Sequence, residues 1–377
     1  MADRLTRQLC FLTEADRLKT ITRSNVLMDG SRPENSAEHS WHLALWALVF
    51  AHSTPGVDIT RILVMCLLHD LVEIDAGDHP IHLDHDADLV AAREQVAADR
   101  LFGLLPDDQR DRFRAIWEEF DAAQTTDAAY AKRIDYLQPI FQVLLATNAP
   151  AEHFDIVRDN LSTGRAAPLA DSWPEMHALA SRMLTAPVSP PPEMTFLAEA
   201  DRLKSVLRAT PILSDPRREN SAEHSWHLML FALVLDEHAT APIDLGRVLQ
   251  MLLLHDIVEI DAGDLPIHAG GDTGDMAAKE QAAADRLFAL LPGGLGTAFQ
   301  ALWQEFEAAE SPDAVFAKSL DRVQPVMANL ADDGGSWRSY NVTRAQLQTR
   351  VGVKVLRGAP AVWDALTPRI NAWFDAL

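Results

Sequence analysis

Ten consecutive residues occur twice in this chain. Glu34-Asn35-Ser36-Ala37-Glu38-His39-Ser40-Trp41-His42-Leu43 returns unchanged as Glu219-Asn220-Ser221-Ala222-Glu223-His224-Ser225-Trp226-His227-Leu228. A second pair follows at matched distance: His69-Asp70-Leu71-Val72-Glu73-Ile74-Asp75-Ala76-Gly77-Asp78, then His255-Asp256-Ile257-Val258-Glu259-Ile260-Asp261-Ala262-Gly263-Asp264. The chain is therefore a tandem duplication, and whatever one copy folds into, the other repeats. Shorter matches extend the relation on both sides. Glu14-Ala15-Asp16-Arg17-Leu18-Lys19 returns at 199–204, Ala97-Ala98-Asp99-Arg100-Leu101-Phe102 at 283–288, and Trp117 and Phe120 as Trp303 and Phe306. Ala131-Lys132, Asp135 and Gln138-Pro139 return as Ala317-Lys318, Asp321 and Gln324-Pro325. A period this long excludes a solenoid, whose repeats run about 20–50 residues. The joint lies in Pro187-Val188-Ser189-Pro190-Pro191-Pro192, which cannot continue a helix. The expected division is 1–190 and 191–377, in keeping with a length that suits about two domains.

Each copy reads as helical. Leu43, Leu45, Trp46, Val49 and Phe50 form a wide apolar stripe behind Asn35, an N-cap with Glu38 three residues on to close a capping box. Residues 59–72 read as a dense apolar central helix, 89–104 as an amphipathic one ending before Pro106, and 113–120 and 128–145 complete the set. Gly77 and Pro80 mark a loop after the central helix. No segment alternates with period two, so the expected class is all-α.

Composition narrows the partners. The net charge of −22 argues against a nucleic-acid polymer as ligand, because phosphate backbones need a basic surface. No apolar run reaches the roughly 18 residues needed to span a bilayer. Met1-Ala2-Asp3-Arg4 lacks a basic-then-apolar signal. The expectation is a cytoplasmic protein without membrane contact. Cys10 and Cys66 are matched by Thr195 and Leu252, so reduced, buried thiols are expected rather than ligands or a disulfide.

The candidate chemistry is a metal site in each copy. His69 and Asp70 stand side by side at the end of an apolar helix, where both can converge on an ion lying off that end. His39 opens its own helix and Asp135 sits in a later one. Two imidazoles and two carboxylates suit Mn, Co, Fe, Ni or Zn, one ion per domain, rather than Ca. Four ligands leave positions open for water and substrate, as catalytic sites require. His224, His255, Asp256 and Asp321 repeat the set in full.

The pattern Glu-His-Ser, His-Asp-x-x-Glu-x-x-x-x-Asp, Ala-Lys-x-x-Asp resembles the HD-domain phosphohydrolase superfamily, and more narrowly its 5'-deoxynucleotidase branch, over residues 11–139 and 196–325. The resemblance implies a compact helical bundle in each copy. It implies a metal on His39, His69, Asp70 and Asp135, and on His224, His255, Asp256 and Asp321. It makes Glu73 with Asp78, and Glu259 with Asp264, the catalytic acidic pairs, and Arg23 and Arg208 the substrate-binding arginines. Since the family commonly forms homodimers, the tandem chain is expected to form an internal pseudo-two-fold pair. The implied reaction is hydrolysis of deoxynucleoside 5'-monophosphates, or similar small phosphate esters, through a metal-activated water. Glu73 would serve that water and Asp78 the leaving oxygen; the competing role for Glu73 is to hold His69.

An anionic substrate on so acidic a chain needs local cations. Lys132 and Lys318, one turn before Asp135 and Asp321, are candidate phosphate ligands, and Lys19, Arg32, Lys204 and Arg217 are further basic pairs. His42 and His227 are expected to pack in the core, and Trp41 and Trp226 to pack or to stack on a base. His82 and His268 keep open a di-iron oxygenase, though His79 and His85 have no counterparts in the second copy. A regulatory or binding protein with one idle copy is the other alternative. The copies diverge at their ends: Gly334-Gly335-Ser336-Trp337, an element resembling the tail of single-domain bacterial relatives, is missing from the first copy. Leu83-Asp84-His85-Asp86 becomes Ala269-Gly270-Gly271-Asp272.

Overall fold

The computed structural model describes residues 3–52, 54–80, 83, 86–270 and 273–377. Both halves are helical bundles built around one central pair of helices. In the N-terminal half, α1 (Arg4–Ala15) starts at Asp3, whose carboxylate accepts from the Thr6 amide. A 3₁₀ turn (Asp16–Thr20) leads into a short ribbon, β1 (Thr22–Val26) antiparallel to β2 (Pro33–Asn35). The ribbon delivers the chain to α2 (Ser36–Ala51). Asn35 caps α2 in the expected box: its side chain accepts from the Glu38 amide and Glu38 accepts from the Asn35 amide. Nearly the whole of α2 is buried, so it is hydrophobic all round rather than amphipathic.

The central apolar helix α3 runs Ile59–Leu68, four residues shorter than the sequence suggests. Its last helical bond is His69 N–H to the Met65 carbonyl, 3.0 Å. Leu71 and Val72 remain buried, which extends the apolar pattern past the point where the backbone leaves the helix. One further turn, α4 (Glu73–Ala76), ends at Gly77, whose φ of 81° is closed to most side chains. Then come α5 (Ala87–Phe102), α6 (Asp107–Ala122), α7 (Thr126–Leu145), α8 (Ala151–Ser162), α9 (Leu169–Ser172) and α10 (Pro174–Met183).

After residues 184–191 the plan repeats: α11 (Pro192–Asp201), β3 (Leu207–Pro211) against β4 (Arg218–Asn220), α12 (Ser221–Leu235), α13 (Leu245–Leu254), α14 (Glu259–Ala262), α15 (Thr273–Phe288), α16 (Gly294–Ala308) and α17 (Pro312–Ala331). Here the halves part. The C-terminal half closes with α18 (Gly335–Ser339), α19 (Arg344–Leu347), a π turn (Gln348–Gly352), α20 (Val353–Gly358) and α21 (Pro360–Asp375), packed on α17. The class is all-α, with the two short ribbons as the additions. They hold too few residues to show alternation in the sequence.

The halves pack as a pseudo-two-fold pair with α2 against α12 at the centre. The contacts are reciprocal. Asn35 Nδ2 donates to Glu223 (3.0 Å) and Asn220 Nδ2 to Glu38 (2.6 Å). Arg32 donates to the Lys204 carbonyl (2.8 Å) and Arg217 to the Lys19 carbonyl (2.7 Å). His42 Nε2 reaches the Leu197 carbonyl (3.0 Å) and His227 Nε2 the Leu12 carbonyl (2.9 Å). Among the described residues no helix is long and apolar enough to cross a membrane. Cys66 is buried, but Cys10 lies exposed on α1, contrary to expectation.

Candidate metal centres

Three helices meet at one point in each half, two by an end and one by its middle. α2 brings His39 from its first turn, α3 ends at His69 with Asp70 just beyond, and α7 brings Asp135 from mid-helix. Donor atoms of His39, His69 and Asp135 lie within 4.8 Å of one another, as do those of His224, His255 and Asp321. Asp70 stands beside the first group without belonging to it: Oδ1 is 3.1 Å from His69 Nε2 and Oδ2 is 3.9 Å from His39 Nε2. His39 Nε2 is 3.5 Å from Asp135 Oδ1. In the second group His224 Nε2 is 3.3 Å from Asp321 and His255 Nε2 is 3.1 Å from Asp256.

The residues fit a divalent transition ion. His39 Nδ1 and Nε2, His69 Nε2 and His255 Nε2 are buried without a hydrogen-bond partner, although buried polar atoms are ordinarily paired. The other ring nitrogens of the α3 and α13 histidines are engaged. His69 Nδ1 donates to the Cys66 carbonyl (3.0 Å) and His255 Nδ1 to the Leu252 carbonyl (2.8 Å). Each tautomer is thereby set with the Nε2 lone pair facing the carboxylates. His69 Nδ1 is thus engaged by its own helix, and Glu73 bonds to Ser36.

Around the donors stand the acidic pair and the arginine. Arg23 Nη1, from β1, lies 3.0 Å from Asp70 and 3.7 Å from both Glu73 and Asp78. Arg208 repeats this at 2.8 Å from Asp256 and 3.9 Å from Glu259 and Asp264. Ser36 Oγ donates to Glu73 at 2.6 Å and Ser221 Oγ to Glu259 at 2.5 Å. Burial, reinforced by the neighbouring Asp70, pushes the Glu73 carboxyl well above its ordinary range, and Glu259 behaves alike beside Asp256. Burial raises Asp78 and Asp264 against the pull of the arginine. Burial also opposes ionisation of Asp70, but His69 and Arg23 outweigh it and hold that carboxyl low.

The two centres open onto different space. A cavity of about 670 Å³ extends from His69, Asp70 and Asp135 along α5, α7 and α8. In the second half a cavity of about 70 Å³ touches Arg208 and Asp264 but none of the candidate metal ligands. Ser336, Trp337 and Tyr340 from the C-terminal tail line it, with Arg322 where the first half has Tyr136. Lys132 lines the larger cavity with its ammonium 4.2 Å from the centre of the Phe120 ring. Lys318 sits likewise over Phe306 (4.1 Å) but is tied to Glu307 (2.7 Å).

Several expectations need correction. Lys19 and Lys204 are fully buried between the halves and line neither of the two cavities. Arg32 and Arg217 pair with Glu38 and Glu223 at the helix starts. Trp41 is buried and donates to the Leu253 carbonyl of the other half (3.2 Å), so neither it nor the equally buried Trp226 can stack on a ligand. His82 and His85 lie outside the described residues. His268 lines the smaller cavity, and neither it nor His79 joins a group able to hold a metal among the described residues. The sequence reading missed Glu34 and Glu219, the first residues of the repeated decapeptide. Glu219 Oε2 lies 3.1 Å from His224 Nδ1 and Glu34 Oε1 lies 3.7 Å from His39 Nδ1. The available signal is an acid that recurs five residues before the candidate ligand histidine in both copies.

A family model described as HD domain matches this chain twice, over residues 15–177 and 200–363. The chain belongs to the HD domain family. A human 5'-deoxynucleotidase is 28% identical over 135 residues, a match spanning 36% of this chain and 65% of the relative, just under two thirds of its length. A 5'-deoxynucleotidase of Enterobacter is 28% identical over 160 residues, covering 40% of this chain and 79% of that protein. A solved structure from Magnetospirillum magnetotacticum, described as a predicted metal-dependent phosphohydrolase, is 43% identical. It covers 48% of this chain and 91% of its own, with a TM-score of 0.46.

Proposed function

We propose that this HD domain protein is a metal-dependent phosphohydrolase acting on deoxynucleoside 5'-monophosphates or similarly small phosphate esters. Its two domains divide at residue 190. The observation that carries the reading is the convergence of partnerless imidazole nitrogens on His39 and His69 with Asp70 and Asp135, at the floor of a cavity of about 670 Å³. That volume lies in the range of small-molecule sites, roughly 300–1,000 Å³. The names of the relatives support the same chemistry.

His39, His69, Asp70 and Asp135 would hold the ion, as would His224, His255, Asp256 and Asp321 in the second half. When bound, a divalent ion polarises a phosphoryl oxygen and makes a water acidic enough to act at neutral pH. Arg23 sits beside these ligands and supplies a planar, permanently charged donor to the phosphate. Lys132 adds a second cation from the cavity wall. Glu73, fixed by Ser36 Oγ at 2.6 Å, takes the proton of the attacking water. Asp78, which burial keeps more basic than an ordinary aspartate, delivers a proton to the leaving ester oxygen. Arg208, Lys318, Glu259 and Asp264 hold the corresponding positions in the second half. Apolar residues of α5 and α8, such as Val90 and Ile156, offer a surface to the nucleoside.

The test is phosphate release from a panel of deoxynucleoside and ribonucleoside 5'-monophosphates with Mn²⁺ or Co²⁺ added. Release that stops on chelation and returns with the ion is expected. Folded, metal-loaded protein that turns over no phosphate ester sinks the proposal.

A further inference from the structure

We infer that each metal centre is completed by a lysine from the opposite half: Lys204 positions Glu34, and through it His39, while Lys19 positions Glu219, and through it His224. The inference rests on His39 and His224 being metal ligands.

The two acids divide their oxygens in the same way. Glu34 is fully buried; one oxygen accepts from Lys204 Nζ at 2.9 Å, and the other faces His39 Nδ1 and Arg23 Nε, each at 3.7 Å. Glu219 accepts from Lys19 Nζ at 2.7 Å through one oxygen, and its other faces His224 Nδ1 at 3.1 Å and Arg208 Nε at 3.7 Å. Every such acid thus reaches across the interface with one oxygen and toward its own centre with the other.

The lysines are themselves fixed. Lys204 Nζ also meets Asp201 (2.6 Å) and His42 Nδ1 (3.2 Å), and Lys19 Nζ meets Asp16 (2.5 Å) and His227 Nδ1 (3.0 Å). Asp16, Glu219 and His227 are spaced closely enough to hold a metal ion. The Lys19 ammonium bonds to all three, so the cation of that cluster belongs to the protein. A carboxylate buried this deeply stays ionised and oriented only with a cation against it. A ligating histidine whose outer nitrogen donates to a fixed carboxylate has its tautomer and ring plane set, and loss of such a partner costs about 10- to 100-fold in metal affinity. His224 Nδ1 makes that bond to Glu219 at 3.1 Å, whereas Glu34 faces His39 Nδ1 at 3.7 Å, a charge held against the ring rather than a formed hydrogen bond. Lys204 and Lys19 are therefore positioning residues that act on the centre of the other half. A half on its own lacks one member of its own centre, and the tandem chain supplies both.

Single-centre proteins test this in the full chain. Asp256→Asn leaves the N-terminal centre intact and Asp70→Asn the C-terminal one. Co²⁺ is titrated into each and followed by its visible absorption, which reports coordination without turnover. Lys204→Met is expected to weaken Co²⁺ binding about 10- to 100-fold in the Asp256→Asn background, with a changed absorption envelope, and to leave the Asp70→Asn background unaffected. Lys19→Met is expected to do the reverse, and Lys204→Arg to recover part of the loss. Equal weakening of both centres in folded protein, or of neither, overturns the inference. If Lys204→Met unfolds the chain by circular dichroism, Lys204→Gln carries the same expectation and the same refutation. Folded single-centre proteins that bind no Co²⁺ at all overturn the metal reading, and this inference with it.

Discussion

Asp70→Asn and Asp256→Asn each remove one proposed coordinating carboxylate with little change of volume, yet the two cavities predict unequal consequences. In Asp70→Asn only the C-terminal centre remains. The cavity that touches its Arg208 and Asp264 is about 70 Å³, room for a few waters, against about 670 Å³ for the cavity that reaches His69, Asp70 and Asp135 in the N-terminal half. Admitting a nucleoside there means displacing Trp337, which is 2% exposed and packed edge-on against Trp373 with ring centres 5.3 Å apart. Giving up the burial of one such side chain costs about 3–5 kcal/mol, or roughly 10²- to 10³-fold and somewhat more in kcat/KM. Phosphate release from a deoxynucleoside 5'-monophosphate at saturating Mn²⁺ is the assay. Asp70→Asn should fall to about 1% of wild type or below, and Asp256→Asn should lose far less. Adding Trp337→Ala to the Asp70→Asn protein should restore part of the turnover. Equal losses in the two single variants, or a greater loss in Asp256→Asn, would refute the argument from cavity size.

Other consequences are more local. Arg23→Met should lower kcat/KM about 10- to 100-fold, the worth of a charge-assisted hydrogen bond of about 1.5–3 kcal/mol, and Arg23→Lys should recover only part of it. An unchanged kcat/KM removes Arg23 from phosphate binding. Metal binding should stabilise the fold by about 2.7 kcal/mol when the ion stands at 100 times its Kd; calorimetry that finds equal melting temperatures with and without excess Co²⁺ contradicts the site. The interface should be acid-sensitive. Burial and the adjacent Lys19 ammonium keep His227 neutral down to about 3 instead of its ordinary 6.5, with Asp16 and Glu219 pulling weakly the other way. The unfolded chain then binds a proton that the folded chain refuses. His227 contributes stability that is full above pH 6.5 and is lost as pH falls toward 3, with a slope approaching about 1.4 kcal/mol per unit. Denaturant titrations between pH 7 and 4 should show a smaller slope in His227→Gln; equal slopes exclude His227 as a source.

Much of each centre was legible because it is built from short-range features. The Asn35–Glu38 box fixes where α2 begins, which fixes where His39 points. The His69-Asp70 pair marks the end of α3, and Asp135 lies on an apolar helix that can face inward only one way. What the sequence hid depends on partners far along the chain. Lys204 and Glu34 are 170 residues apart, and Lys19 and Glu219 are 200 apart. A basic residue near a phosphate site reads as a substrate ligand until the other half is laid against it. The helix end at Leu68 was blurred because Leu71 and Val72 keep the apolar pattern going after the helical bonds stop. The unequal cavities were foreshadowed by the Gly334-Gly335-Ser336-Trp337 element, but its effect depends on where α18 docks, which no local pattern specifies.

The central claim is that His39, His69, Asp70 and Asp135 hold a divalent ion. Anomalous scattering at the cobalt edge, from crystals grown with Co²⁺, tests it most directly. The account predicts one peak per half, about 2.0–2.2 Å from His39 Nε2, His69 Nε2 and carboxylate oxygens of Asp70 and Asp135, with its counterpart at His224, His255, Asp256 and Asp321. Peaks held instead by Glu73 and Asp78, or by Asp16, Glu219 and His227 in place of the Lys19 ammonium, would contradict it.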